Sequence, residues 1–327
     1  MWVTNSGGTQ RSQRPPPPRP VPGVDKSLST RADRGVHVAG EPDWLTTLGG
    51  DLWTTAPTTL PVGAVLRVNG QTGAVKARIR VDSTCGPIAD GLGAIWVHTC
   101  GTRRTIVRID PATNRVTHTL PLGMASSEGA FAFASGSIWL TSDTMSTLTR
   151  ADVATGLVRA TARVAPHSYT VVAGGDALWV VSTGGRGATS GLVQRIDVRT
   201  GQIVARVSVG PGARFAAFGE GALWTMNSGD STVSRVDART NREVARIKLG
   251  DGAGGGDIAV GAGRVWVRSY QILLAEIDPA TNRVVARYRE PAGTTFGAYG
   301  SGAVRVLGRS IWLSAHDVDS LWRISVR

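Results

Sequence analysis

The chain is expected to fold as an all-β protein, a seven-bladed β-propeller of four-stranded blades, on three observations. An apolar residue followed by Trp recurs seven times, at Trp53, Trp96, Trp139, Trp179, Trp224, Trp266 and Trp312, in steps of 40 to 46 residues. In phase with it, a second marker recurs from Asn69, Asp110, Asp152, Asp197, Asp237 and Asp278: an Asp or Asn, two residues, Thr, then Gly or Asn. No segment holds an apolar i, i+3, i+4, i+7 stripe for three turns, while β-branched residues and glycines abound. A helix-free period of this length matches a blade of four short strands, not a solenoid.

The blades follow in order. In the second, PIADG supplies the inner strand, AIWVHT the next, TIVRID the third and RVTHTLPL the outer one. Each acid-headed marker is a tight hairpin between the third and outer strands. Its Asp or Asn carboxyl or amide oxygen accepts from backbone N–H groups two residues on, and the closing Gly or Asn tolerates positive φ. A Trp at the same place in every blade packs between neighbouring sheets, and burying an indole there contributes on the order of 2–3 kcal/mol.

The seventh hairpin would fall near Ser325, but the sequence stops at Arg327, so the last blade lacks an outer strand. The segment RGVHVAGEPDWLTT aligns with places where an outer strand runs into the next inner one. Residues 34–39 should therefore pair with the stretch 320–326 and close the ring, leaving no open seam. Deletion of 34–40 should hurt stability far more than deletion of 1–30. Residues 1–33, with the run RPPPPRPVPG, read as a disordered Pro/Arg-rich tail, and 34–327 as the propeller.

Strand order fixes two faces. The acid-headed hairpins line one; the loops after each Trp and the links between blades line the other. Loops on this second face vary: Trp to the next hairpin acid takes 16 residues in blade one and 18 in blade four, but 12 to 14 elsewhere. Variable loops on a rigid scaffold are where binding residues concentrate. The ligand-binding candidates there are His98, Arg104, His167, Tyr169, Arg214, Arg268, Tyr270 and His316, a set suited to an anionic or polar small molecule or a protein partner. Cys85 and Cys100, the only cysteines, fall opposite each other across the blade-two hairpin, either as a disulfide in an oxidising compartment or as two free thiols.

The bulk numbers exclude more than they assign. A net charge of +12 invites a nucleic-acid reading, yet Arg108, Arg150, Arg195 and Arg235 sit at one repeat position and are spread around the ring instead of forming a patch. Nucleic acid is not the expected partner, and a monomer is the expected state. No stretch approaches the ~18 apolar residues of a membrane span. The first residues carry no apolar signal core, so no export is expected from them; an extracytoplasmic site stays open if the start is misassigned. The sequence holds no H-E-x-x-H and no G-x-S-x-G, and its GDGAGG run links two strands without opening a helix.

A unit such as LWTMNSGDSTVSRVDARTNREVARIKLG resembles the YVTN-type and NHL-like propeller repeats, and through them the blades of the streptogramin B (virginiamycin B) lyase-like propellers. That resemblance implies seven blades and, for the lyases, elimination on a cyclic ester by a His and a Glu on the loop face with Mg²⁺. Family blades read LWFTE. Here the Glu position holds Ala56, Thr99, Ser142, Ser182, Asn227, Ser269 and Ala315, so no His–Glu pair carries over. The expectation is thus a non-enzymatic bacterial binding scaffold without a cofactor. The alternative is a lyase-like enzyme that draws on one of His98, His167 and His316, with Glu128 or Glu290 as helper.

Overall fold

The structure is a computed structural model, and it describes residues 24–27, 35–57, 63–124, 129–141, 146–250, 256–269, 272–289, 302–315 and 318–325. Seven antiparallel sheets succeed one another along the chain, each built on four strands. Blade two shows the plan: Thr84–Gly91 lies innermost, followed by Ala94–Thr99, Thr105–Asp110 and Arg115–Leu120. Inner strands run from the loop face to the hairpin face, and every second strand returns. The core consists of seven apolar clusters, most of which join the facing sides of adjacent blades.

The seven tryptophans of the repeat are its centre. Each is no more than 2% exposed. In five blades the indole N–H donates to the backbone carbonyl five residues earlier: Gly91, Ala134, Gly174, Gly219 and Gly261. Small residues there have a second use. A Cβ on Gly91 would fall 2.1 Å from Phe133 of the next blade, and one on Gly174 2.2 Å from Phe218. The bare backbone lets the neighbouring inner strand press its side chain onto the Trp, with ring centroids 5.2 Å apart for Trp96–Phe133. Trp53 and Trp312 have Leu48 and Leu307 at that place, and their indole nitrogens find no hydrogen-bond partner among the described residues.

The repeated arginines hold blade to blade. Arg67, Arg195 and Arg235 each lie opposite the blade's Trp on the third strand and stack on it at 5.0–5.2 Å. From there each reaches the next blade's hairpin and donates to two acceptors: Pro111 O and Asn114 Oδ1 for Arg67, Ala238 O and Asn241 Oδ1 for Arg195, Pro279 O and Asn282 Oδ1 for Arg235. The acceptor asparagines close their turns at φ of 54–55°. Where the next turn closes with Gly instead, that side-chain acceptor is missing. Arg108 then donates to Thr117 and Arg150 to Ser137 of their own blades, while Arg323 donates to the carbonyl of Gln71. Blade six has Glu276 opposite Trp266. Its neighbour, blade seven, has no such hairpin to receive an arginine.

The ring closes as expected. Gly35–His37 pairs antiparallel with Ser320–Ser325 and becomes the outer strand of blade seven. Asp319 fastens the junction, its carboxylate accepting from the backbone N–H groups of Gly40 and Glu41. The stretch read from sequence as a disordered tail also contributes Asp25–Ser27, a fifth, parallel strand on the outer edge of blade six.

Candidate functional site

The loop-face mouth is lined by the first residues of the inner strands. Tyr169 and Arg214 are each the second residue of their strands, in blades four and five. The register brings them together: the Arg214 guanidinium carbon lies 4.4 Å from the Tyr169 ring centroid and 5.8 Å from that of Phe215. Thr170 adds a hydrogen bond from its hydroxyl to the Arg214 carbonyl. Opposite them stands Trp44, just before the blade-one inner strand. Its ring centroid is 6.4 Å from Phe215, so a side chain of blade one meets blade five across the bore. Trp44 is held by hydrogen bonds with Thr55 on both sides of its peptide. Sequence reasoning missed Trp44 because it lies outside the repeat. An indole just ahead of an inner strand was the available signal.

His98 and Arg104 form a second group, in blade two. His98, expected on an open face, is fully buried at the end of the second strand. Its Nε2 accepts from the Met124 N–H at 3.3 Å, and its Nδ1 faces the Cys100 Sγ at 4.0 Å. The exposed Arg104 donates to the Met124 carbonyl at 2.6 Å, so the link after blade two is folded back over the imidazole. Burial, with the Arg104 charge adding to it, pushes the His98 pKa down to about 4. The imidazole is therefore neutral and enclosed, and unsuited to act as a base on a bound molecule. Cys85 and Cys100 are joined by a disulfide, with Cα atoms 5.7 Å apart. The pairing shifts between Thr84 and Ile88, so an irregularity, not simple opposition, sets their approach.

The other candidates stand apart. His167 is exposed at φ 58°, with its ring against Gly185. Arg268, also expected at the open face, is only 3% exposed; a Cβ on Gly302 would sit 2.7 Å from its guanidinium, so the glycine leaves the room it occupies. Tyr270 and His316 lie outside the described residues, as do Glu128 and Glu290. Among the described residues the one cluster of three His, Cys, Asp or Glu groups is Cys85, His98 and Cys100. Two of its donors are bonded to each other and none is an oxygen, so it does not fit Mg²⁺, which takes hard oxygen ligands.

The family described as "Repeat of unknown function (DUF6923)" matches residues 61–214. No curated protein matches the chain. Among solved structures, a catalytically inactive histidine-to-alanine variant of virginiamycin B lyase from Staphylococcus aureus, solved with quinupristin, is 17% identical with a TM-score of 0.71, covering 90% of this chain and 99% of that one. BamB from Moraxella catarrhalis is 13% identical with a TM-score of 0.58, covering 88% and 85%. The computationally designed Ika8 protein is 13% identical with a TM-score of 0.62, covering 87% and 83%. The chain is a seven-bladed β-propeller that shares its overall fold with virginiamycin B lyase. At these identities the likeness is one of fold.

Proposed function

We propose that the protein is a non-enzymatic binding propeller whose loop-face mouth takes a small molecule with a flat apolar body and an anionic group. The observation that carries this is the stack of Arg214 on Tyr169 beside the Trp44–Phe215 contact at the end of the bore. Aromatic faces give area at little entropic loss, and a guanidinium supplies planar donors for a carboxylate or phosphate. His167 is exposed immediately ahead of the same blade-four strand, two residues before Tyr169. Blade-two groups stay out of the site, because His98 is enclosed and the disulfide pins its loop.

Binding is read by tryptophan fluorescence during titration with 2-naphthoate, which carries both features, and with uncharged 2-naphthamide. Saturable binding of the acid, weakened about tenfold or more in Arg214→Ala and in Trp44→Ala, supports the reading. Equal binding of acid and amide, or no loss in either variant, overturns it. The lyase alternative is separated by incubating the protein with quinupristin and Mg²⁺. Intact quinupristin is expected, and linear product would establish an enzyme.

A further inference from the structure

The outer edge of blade six is unlike the other edges. The arginine at one outer-strand position, Arg78, Arg206 and Arg246 in blades one, four and five, is exposed. Its counterpart Arg287 is only 8% exposed. Three features account for that. Gly250 leaves room for the guanidinium, since a Cβ there would lie 2.6 Å from Nη1. The Leu249 carbonyl accepts from the same nitrogen at 3.3 Å. The chain's own leading segment then covers the edge: Asp25 sits opposite Arg287, its carboxylate 3.3 Å from Nε, with both side chains about a tenth exposed.

The backbone and the next residue complete the contact. The Arg287 N–H donates to the Val24 carbonyl at 2.8 Å. Lys26 lies over the Tyr288 ring at 5.9 Å, and the Tyr288 hydroxyl donates to Glu276 at 2.8 Å. Glu276 is the residue that replaces the repeated arginine in this blade. An unpaired strand edge is a template for another strand, and most are kept short, charged or covered. This one has an enclosed cation at a fixed register position, which turns a general edge into a keyed one.

We propose that the outer edge of blade six is a docking site for an extended, parallel strand with Asp opposite Arg287 and a cation opposite Tyr288, and that residues 24–27 are its resident occupant. Affinity comes from main-chain hydrogen bonds, while the acid sets register. Removing the acid leaves a buried guanidinium without its counter-charge, which is far worse than losing an exposed pair. The docked segment thereby keeps that edge from pairing with other chains.

The test uses the full chain and hydrogen exchange resolved to single amides. Asp25→Ala is the informative variant, because it leaves the closing strand at 35–37 and all seven blades intact. The Arg287 amide, slow in the parent protein, is expected to exchange at least tenfold faster in Asp25→Ala. Adding a synthetic peptide of residues 20–31, PVPGVDKSLSTR, should restore slow exchange to the variant, while the same peptide with Ala at its Asp should not. Equal Arg287 exchange in parent and variant would sink the proposal. So would failure of the parent peptide to protect the variant, or equal protection by both peptides.

Discussion

Arg195 and Arg150 occupy equivalent places, yet only the first meets an asparagine in the next blade. Arg195 donates to Ala238 O and Asn241 Oδ1 at 2.9 Å each, whereas Arg150 turns back to Ser137. Charge-assisted hydrogen bonds contribute about 1.5–3 kcal/mol and stacking on an indole adds to that. Arg195→Ala should therefore lower unfolding stability by about 2 kcal/mol and Arg150→Ala by about 1 kcal/mol, both read by urea denaturation. Asn241→Gly should make the Arg195→Ala loss smaller in a double-mutant cycle, and strict additivity would refute the pairing. His98 allows a prediction in pH. Its folded pKa of about 4 lies below the ordinary 6.5, so the unfolded chain takes the proton first. The contribution is neutral above about pH 6.5, and stability is lost as pH falls from there towards 4, by roughly 3 kcal/mol in all. A His98→Gln variant should lose that part of the acid slope while Tm at pH 8 is measured alongside. An unchanged slope would mean that the imidazole is not enclosed in solution.

Strands and hairpins respond on a larger scale. The carboxylates of Asp110, Asp197, Asp237 and Asp278 are held below their ordinary range. For Asp110, Asp197 and Asp278 the main cause is a backbone N–H of the turn; for Asp237 it is the Thr240 hydroxyl. These turns were legible from five residues of sequence because their bonding is local. Closure was legible too, from the missing seventh hairpin, and it makes deletion of 34–40 the harsher truncation. Removing residues 1–23 should change stability by less than about 0.5 kcal/mol, whereas removing 34–40 frees an edge in blade seven and should cost several kcal/mol, both measured by denaturant midpoint. The disulfide spans 15 residues of blade two. Reducing it should cost about 3 kcal/mol by the loop-entropy estimate, and a double Cys→Ser variant should match the reduced protein.

Across the whole molecule, what the sequence made legible and what it hid divide by distance along the chain. The indoles, the acid-headed turns and the arginines recur every forty-odd residues, so seven indoles, six turns and six arginines confirm one another. Trp44 meets Phe215 from 171 residues away, and Asp25 meets Arg287 from 262; neither belongs to the repeat, and no periodicity points to them. His98 looked like an open-face residue because its strand position is right. The link through Met124, which closes over it, has no pattern of its own. The charge fell between these cases: the regular spacing of the arginines argued against a patch, but not what they bond. One joint of the ring stands out in this light. Blades six and seven meet where Glu276 replaces the usual guanidinium, and at the inner radius Asp257 takes Arg305 and the Val304 N–H instead. The chain's leading residues are strand-paired to blade six at 25–27 and to blade seven at 35–37. One strand of this segment therefore holds each side of a junction that has no arginine at the clamping position, so tension applied ahead of residue 24 would load blade six first and blade seven next.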